Sequence, residues 1–278
     1  MEKKQRDIIQ SLSVEQQQIF TDNAASTKWL SAIPHGAYNR LSDKQVAANL
    51  NILQLRKKSA GPICPSCGNL NGINEHETCR GCKLFSQQTH ARHNYIRDKL
   101  VSEAQKSAVN NVQKEPLIYG HQPNPPNLQR ADFSIIPKAG QPAHHPYFGM
   151  FDVMTKVVFS VHASTARDKA RIEAQLAGIT DPIKICRKEI QAALHIGVAY
   201  KTRKYAAATA AGRKVTALLI STGGTLHSTT FKFMKKTFPD VNQRHKLLTD
   251  ISVALARGRA NLYNDMPADI VAPDGYPT

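Results

Sequence analysis

Phe151-Asp152-Val153-Met154-Thr155-Lys156-Val157-Val158-Phe159-Ser160-Val161-His162 is the stretch on which the fold turns. Successive side chains of an extended chain point to opposite faces, so Phe151, Val153, Val157, Phe159 and Val161 share one face, and Asp152, Lys156, Ser160 and His162 the other. One face packs and the other can do chemistry. Downstream, Lys214-Val215-Thr216-Ala217-Leu218-Leu219-Ile220-Ser221-Thr222 is nearly continuously apolar before Gly223-Gly224, which fits a strand buried on both sides. Helical patterns at about 165 to 177, 183 to 195 and 199 to 211 lie between the two strands, broken by Gly178, Asp181-Pro182 and Gly212. Upstream, Glu115 to Tyr119 and Arg130 to Ile136 read as short strands, separated by the Pro- and Asn-rich loop Gly120 to Asn127. Helices over about 226 to 237 and 243 to 263 precede a Pro-rich tail. Strands first and helices interleaved later predict an α/β core over residues 96 to 265, with a tail over 266 to 278.

Residues 1 to 60 read as a helical N-terminal segment. Ser13 with Gln16 forms a capping-box pattern, and Ser42 is placed to cap a helix in which Val46, Leu50 and Leu53 recur at helical spacing. The segment is either a docking element for nucleic acid or a small helical subdomain with Trp29 and Leu30 as its core. The break at Arg56-Lys57-Lys58-Ser59-Ala60-Gly61-Pro62 closes it, and a cysteine and histidine cluster occupies residues 61 to 95.

The chain has 278 residues, and 37 Lys and Arg against 21 Asp and Glu give a formal charge of +16. Such a surplus opposes compaction and favours phosphate backbones, so nucleic acid is the expected partner. No stretch of apolar residues is long enough to span a bilayer, and the polar opening Met1-Glu2-Lys3-Lys4 is not a secretory signal. An intracellular protein with no membrane partner is the expectation. Five cysteines, an odd number and mostly clustered, point to metal rather than to disulfides.

Three constellations could carry chemistry. Cys64-Pro65-Ser66-Cys67 and Cys79-Arg80-Gly81-Cys82 are two C-x2-C half-sites suited to a tetrahedral zinc ion, with His76, His90 and His93 nearby. Cys64, Cys67 and Cys82 are the firm ligands. The fourth is Cys79, favoured by thiolate softness and symmetry, or His76. The cytidine-deaminase arrangement of His, Glu and Pro-Cys is not matched. Glu115, Asp132 and Asp152 stand on or beside strands, where carboxylates either hold Mg²⁺ for phosphodiester hydrolysis or are simply solvated. Met154 occupies the position two after Asp152, where the short nuclease pattern has lysine. Third, Lys184, Arg187, Lys188, Lys201, Arg203, Lys204, Arg213 and Lys214 are opposed by Glu189 alone. Lys201, Lys204 and Tyr205 share one helical face, which either contacts phosphate and lends an ammonium to a hydrolytic site or is merely solvated. Arg203, Arg187, Lys188 and Arg92 are the candidate nucleic-acid contacts.

The order of these motifs resembles a known family. Cys64-x2-Cys67-Gly68 with His76, Cys79 and Cys82, then Arg92-His93-Asn94, Glu115-Pro116, Arg130-Ala131-Asp132, Asp152 and Lys201-x2-Lys204-Tyr205 together resemble the C-terminal region of non-LTR retrotransposon proteins. That region carries a cysteine-histidine zinc knuckle and a restriction-like PD-(D/E)xK endonuclease. Trp29-Leu30-Ser31-Ala32-Ile33-Pro34 and Ser221 to His227 are similar to its flanking stretches, so the likeness covers about residues 26 to 263. It implies a restriction-endonuclease-like α/β core that nicks DNA with Mg²⁺, beside a structural zinc. By it Asp132 and Asp152 are the metal-binding acids, Lys201 or Lys204 the lysine moved to a helix, and Glu115 an acidic position ahead of them. The resemblance favours histidine as the fourth zinc ligand. Two departures stand out: Ala131 replaces the proline before the first aspartate, and the Asp152 to Lys201 interval is longer. No reverse-transcriptase motif is present, so the likeness implies a detached or truncated endonuclease region, a nuclear location and a reverse transcriptase acting in trans. The alternatives are a catalytically inactive nucleic-acid binder of the same fold and a zinc-bearing protein that coats RNA.

Overall fold

A computed structural model describes residues 9–24, 27–31, 40–53, 83–106, 110–118, 130–137, 149–156 and 163–264. The N-terminal part holds α1 (Val14–Ala24), a 3-10 turn (Thr27–Ser31) and α2 (Asp43–Leu53). Then come α3 (Lys83–Gln105), β1 (Asn110–Lys114), β2 (Phe133–Pro137) and β3 (Gly149–Lys156). The crossover α4 (Ser164–Leu176), α5 (Pro182–Lys204) and α6 (Ala206–Ala210) leads to β4 (Val215–Ser221), followed by α7 (Ser228–Thr237) and α8 (Val241–Asn264).

The strands form one sheet in the order β1-β2-β3-β4, antiparallel except for the parallel pair β3 and β4. A parallel pair needs a long crossover, which the three helices between β3 and β4 provide. Helices cover both faces. Phe151 and Val153 of β3, with Phe133, Ile135, Leu218 and Ile220, pack against Ile96 and Leu100 of α3, Phe233 of α7 and Leu247 of α8. The opposite face sets Met154, Ala217 and Leu219 against Ile190, Ala193 and Leu194 of α5. The alternation in β3 therefore aims Asp152 at the α5 layer. The chain is an α/β protein, as expected.

Local signals explain most boundaries. Gln16 N–H donates to Ser13 Oγ at 3.3 Å and Ser13 N–H to Gln16 Oε1 at 3.0 Å, and Ser42 with Gln45 repeats the exchange. Asp181 caps α5 by accepting from Ile183 N–H at 2.9 Å, with Pro182 opening the helix.

Three expectations need correction. The strand sought at Glu115 to Tyr119 lies earlier, at β1, because Glu115 adopts φ +51° and ends the ladder, leaving one isolated bridge between Leu117 and Arg130. The separate patterns at 183 to 195 and 199 to 211 are one helix through Lys204, with α6 after Tyr205. Gly197 stays helical because it is the contact point with β4. A Cβ there would sit 2.2 Å from Leu219 Cδ2 and 3.3 Å from Lys156 Cδ. Gly197→Ala is accordingly expected to cost about 1–3 kcal/mol by overpacking a fully buried leucine, read as a lower denaturation midpoint; an unchanged midpoint would contradict this packing. Finally, Trp29 is buried but shares its core with Val253 and Ala256 of α8, while Leu30 is exposed. The N-terminal elements are docked rather than built round their own core. Asp22 of α1, fully buried, accepts from Ser221 Oγ at 2.5 Å and Gly223 N–H at 3.1 Å at the end of β4. Burial pushes its carboxyl above the ordinary range, against the opposing pull of those hydrogen bonds and of Arg259.

Among the described residues no helix is long and apolar enough to cross a membrane. Residues 157–162, the proposed zinc ligands Cys64, Cys67, His76, Cys79 and Cys82, and the tail lie outside the described residues.

Candidate active site

Asp132 sits just before β2, where its N–H donates to Phe151 O at 2.9 Å and its carbonyl accepts from Glu115 N–H at 3.0 Å. Extension of the β2 to β3 pairing thus places Asp132 beside Asp152. Its Oδ2 accepts from Val153 N–H at 2.5 Å, and its Oδ1 stands 3.1 Å from His93 Nε2 on α3. Burial alone would raise the Asp132 carboxyl. The hydrogen bond and charge of His93, the Val153 N–H and the nearby Lys201 charge outweigh it and bring the group below the usual carboxylate value.

Asp152 lies in the sheet interior, 4% exposed, and is met from α5. Lys201 Nζ donates to Asp152 Oδ1 at 2.8 Å and to Oδ2 at 2.9 Å, and the buried Tyr205 hydroxyl donates to Oδ2. Lys201 and Tyr205 are one helical turn apart, which is why both reach the same carboxylate. Burial, the Asp152 hydrogen bond and the charges of both aspartates push the Tyr205 hydroxyl upward, so it stays protonated as a donor. Lys201 pairs with Asp152 and also acts on Asp132 through its charge, and Tyr205 feels both acids. The two acids and Lys201 therefore form one electrostatic cluster.

Of the two lysines left open by the sequence, Lys201 joins the acids. Lys204 is exposed and lies over the Tyr205 ring, 4.9 Å from its centroid. Glu115 borders the cluster rather than entering it: Arg97 Nη1 donates to Glu115 Oε1 at 2.6 Å and Arg97 Nε to Asp98 at 2.9 Å. Its left-handed backbone is a strained conformation for a non-glycine residue.

The basic candidates divide. Arg203, Arg187 and Lys188 are exposed. At about 1.5 Å rise per residue, Arg187 and Lys188 lie about 20 Å from Lys201 along α5, and Arg187 and Arg203 point about 160° apart around it. Arg92 is not a surface contact: it is 4% exposed and packs on α8, its Cδ 3.2 Å from where a Cβ on Gly258 would stand.

The parts the sequence reading missed are His93 as the partner of Asp132, Arg97 as the partner of Glu115, and Tyr205 as a donor to Asp152. His93 and Arg97 are one turn apart on α3, a spacing that could have marked them as a shared face. Among the described residues, no three His, Cys, Asp or Glu side chains gather as a ready-made metal cage. Mg²⁺ does not require one, because it keeps several waters and is held by one or two carboxylates with substrate phosphates. Asp132 and Asp152 fit that donor set. No protein-family model matches the sequence, and no curated protein does.

Proposed function

We propose that the chain is a metal-dependent DNA endonuclease with a restriction-like core, related to the endonuclease region of non-LTR retrotransposon proteins and nicking DNA in the nucleus. One observation carries the reading: Asp152 and Asp132, brought side by side by β2 and β3, share the field of a lysine delivered from the crossover helix. Acids and a lysine at one place answer the needs of phosphodiester hydrolysis, in which water supplies the oxygen of the new P–O bond and the departing sugar oxygen takes a proton. A divalent ion bound there supplies charge neutralisation at the phosphate and a more acidic water. Asp132 and Asp152 would hold it. The Val153 N–H fixes one oxygen of Asp132, and the Tyr205 hydroxyl donates to Asp152. Lys201 adds an ammonium that opposes the charge gathering on the phosphate.

The test compares two lysines on one helix. Lys201→Met is expected to lower supercoiled-plasmid nicking by about a hundredfold or more, while Lys204→Met changes it little. Equal losses would leave phosphate attraction, not the cluster, as the cause.

The pairing of Asp152 with both Lys201 and Tyr205 favours a second reading, in which the acid is a structural ion pair and the protein only binds nucleic acid. Both readings predict steep salt dependence, the log affinity falling by about 0.9 per neutralised phosphate against log salt. Arg203→Gln, two residues from Lys201 in the chain, is expected to lower that slope by about one such unit, and Arg187→Gln, about 20 Å from Lys201 along the helix, to lower it less. A salt-independent affinity would point to another partner.

The knuckle belongs to the same proposal. One tightly held zinc at Cys64, Cys67, Cys82 and Cys79, with His76 beside it, predicts that Cys79→Ser loses metal on dialysis far more than His76→Ala. The reverse ranking gives the fourth position to His76.

A further inference from the structure

We propose that His93 is itself a ligand of the divalent ion at Asp132, so that the site takes a first-row transition-metal ion such as Mn²⁺ in preference to Mg²⁺. The inference rests on the nuclease reading and goes past it by naming a nitrogen donor and the class of metal.

Two donor atoms held about 2.1 to 2.2 Å from one ion, at right angles around it, stand about 3.0 to 3.1 Å apart. His93 Nε2 and Asp132 Oδ1 are 3.1 Å apart. Both side chains keep contact with solvent, at 23% and 17% exposure, so an ion has access without any rearrangement of the core. The other oxygen of Asp132 is already fixed by Val153 N–H, which leaves Oδ1 as the atom turned toward the imidazole. Asp152 is more enclosed, at 6% side-chain exposure, and is held by Lys201. The accessible pair is therefore one nitrogen and one oxygen. Imidazole adds most affinity for the later first-row transition ions and least for Mn²⁺, which stands at the weak end of that series, whereas Mg²⁺ is held by oxygen. In a plain hydrogen bond to the ionised carboxylate, His93 would carry its proton on Nε2; as a ligand it presents a bare Nε2. The two roles are chemically exclusive when the ion is bound.

The experiment uses the full chain without DNA, with Mn²⁺ as both ligand and probe. Pulsed electron paramagnetic resonance is expected to show a ¹⁴N coupling on the bound Mn²⁺ that changes when histidine is ¹⁵N-labelled, a measurement that needs no variant to fold. His93→Ala is expected to remove the coupling and weaken Mn²⁺ binding by about tenfold, with a smaller effect on Mg²⁺. Mn²⁺ binding that depends on Asp132 and Asp152 but shows no nitrogen coupling overturns the His93 assignment and leaves the nuclease reading standing. A nitrogen coupling that survives in His93→Ala also overturns it. Mn²⁺ binding indifferent to Asp132→Asn and Asp152→Asn overturns the underlying reading.

Discussion

Asp152→Asn is expected to reduce divalent-ion-dependent nicking by about a thousandfold or more, equivalent to about 4 kcal/mol of barrier, while DNA affinity stays the same or rises. The amide keeps the size of the carboxylate but offers one acceptor oxygen where Lys201 now has two and turns an NH2 toward the ammonium, so a denaturation midpoint measured alongside separates a lost ion site from a lost fold. What disappears is the charge that holds an ion and repels phosphate. Unchanged nicking by Asp152→Asn would remove Asp152 from the chemistry. Lost binding with retained cleavage would do the same and would make the residue part of the DNA contact.

The second large effect is one of stability. Glu189 of α5 has no exposed surface, and Arg171 of α4 holds it by two bonds, Nε to Oε1 at 2.5 Å and Nη2 to Oε2 at 3.1 Å. Arg171→Met leaves a carboxylate in the interior without its guanidinium partner, beside the Arg167 charge and the Cys186 thiol. Breaking such a pair costs about 3–5 kcal/mol. Removing both charges with Arg171→Met and Glu189→Leu is expected to recover most of the loss, because an apolar pair avoids the desolvation penalty altogether. Urea unfolding of the three proteins checks this; a single substitution costing under about 1 kcal/mol would mean the pair behaves as a surface bridge. The same cluster keeps Cys186 inert: burial, then the Glu189 charge, pushes its thiol up to about 11.

What could be read in the chain and what could not divide by distance along it. The Ser13 and Ser42 boxes, the Asp181-Pro182 helix start and the alternation round Asp152 are local patterns and correspond to local structure. The strand at Glu115 was displaced by a single backbone angle that no side-chain pattern encodes. Lys201 and Lys204 are equivalent in periodicity, and the seating of α5 on the sheet, with Gly197 against Leu219 of β4, decides that Lys201 meets the acid. His93 pairs with an aspartate 39 positions away, so its role was hidden among the zinc candidates. Arg92 looked like a phosphate contact because charge in a sequence carries no sign of burial.

Asp132 and Asp152 are proposed to serve one metal ion. Crystals of the full chain grown with Mn²⁺ and measured at an anomalous-scattering wavelength decide whether they do. One anomalous peak is expected within about 2.4 Å of a carboxylate oxygen of each aspartate, with Asp152 turned from Lys201 toward the ion. A peak on neither aspartate, with the Lys201 to Asp152 pair intact at saturating Mn²⁺, would contradict the proposal.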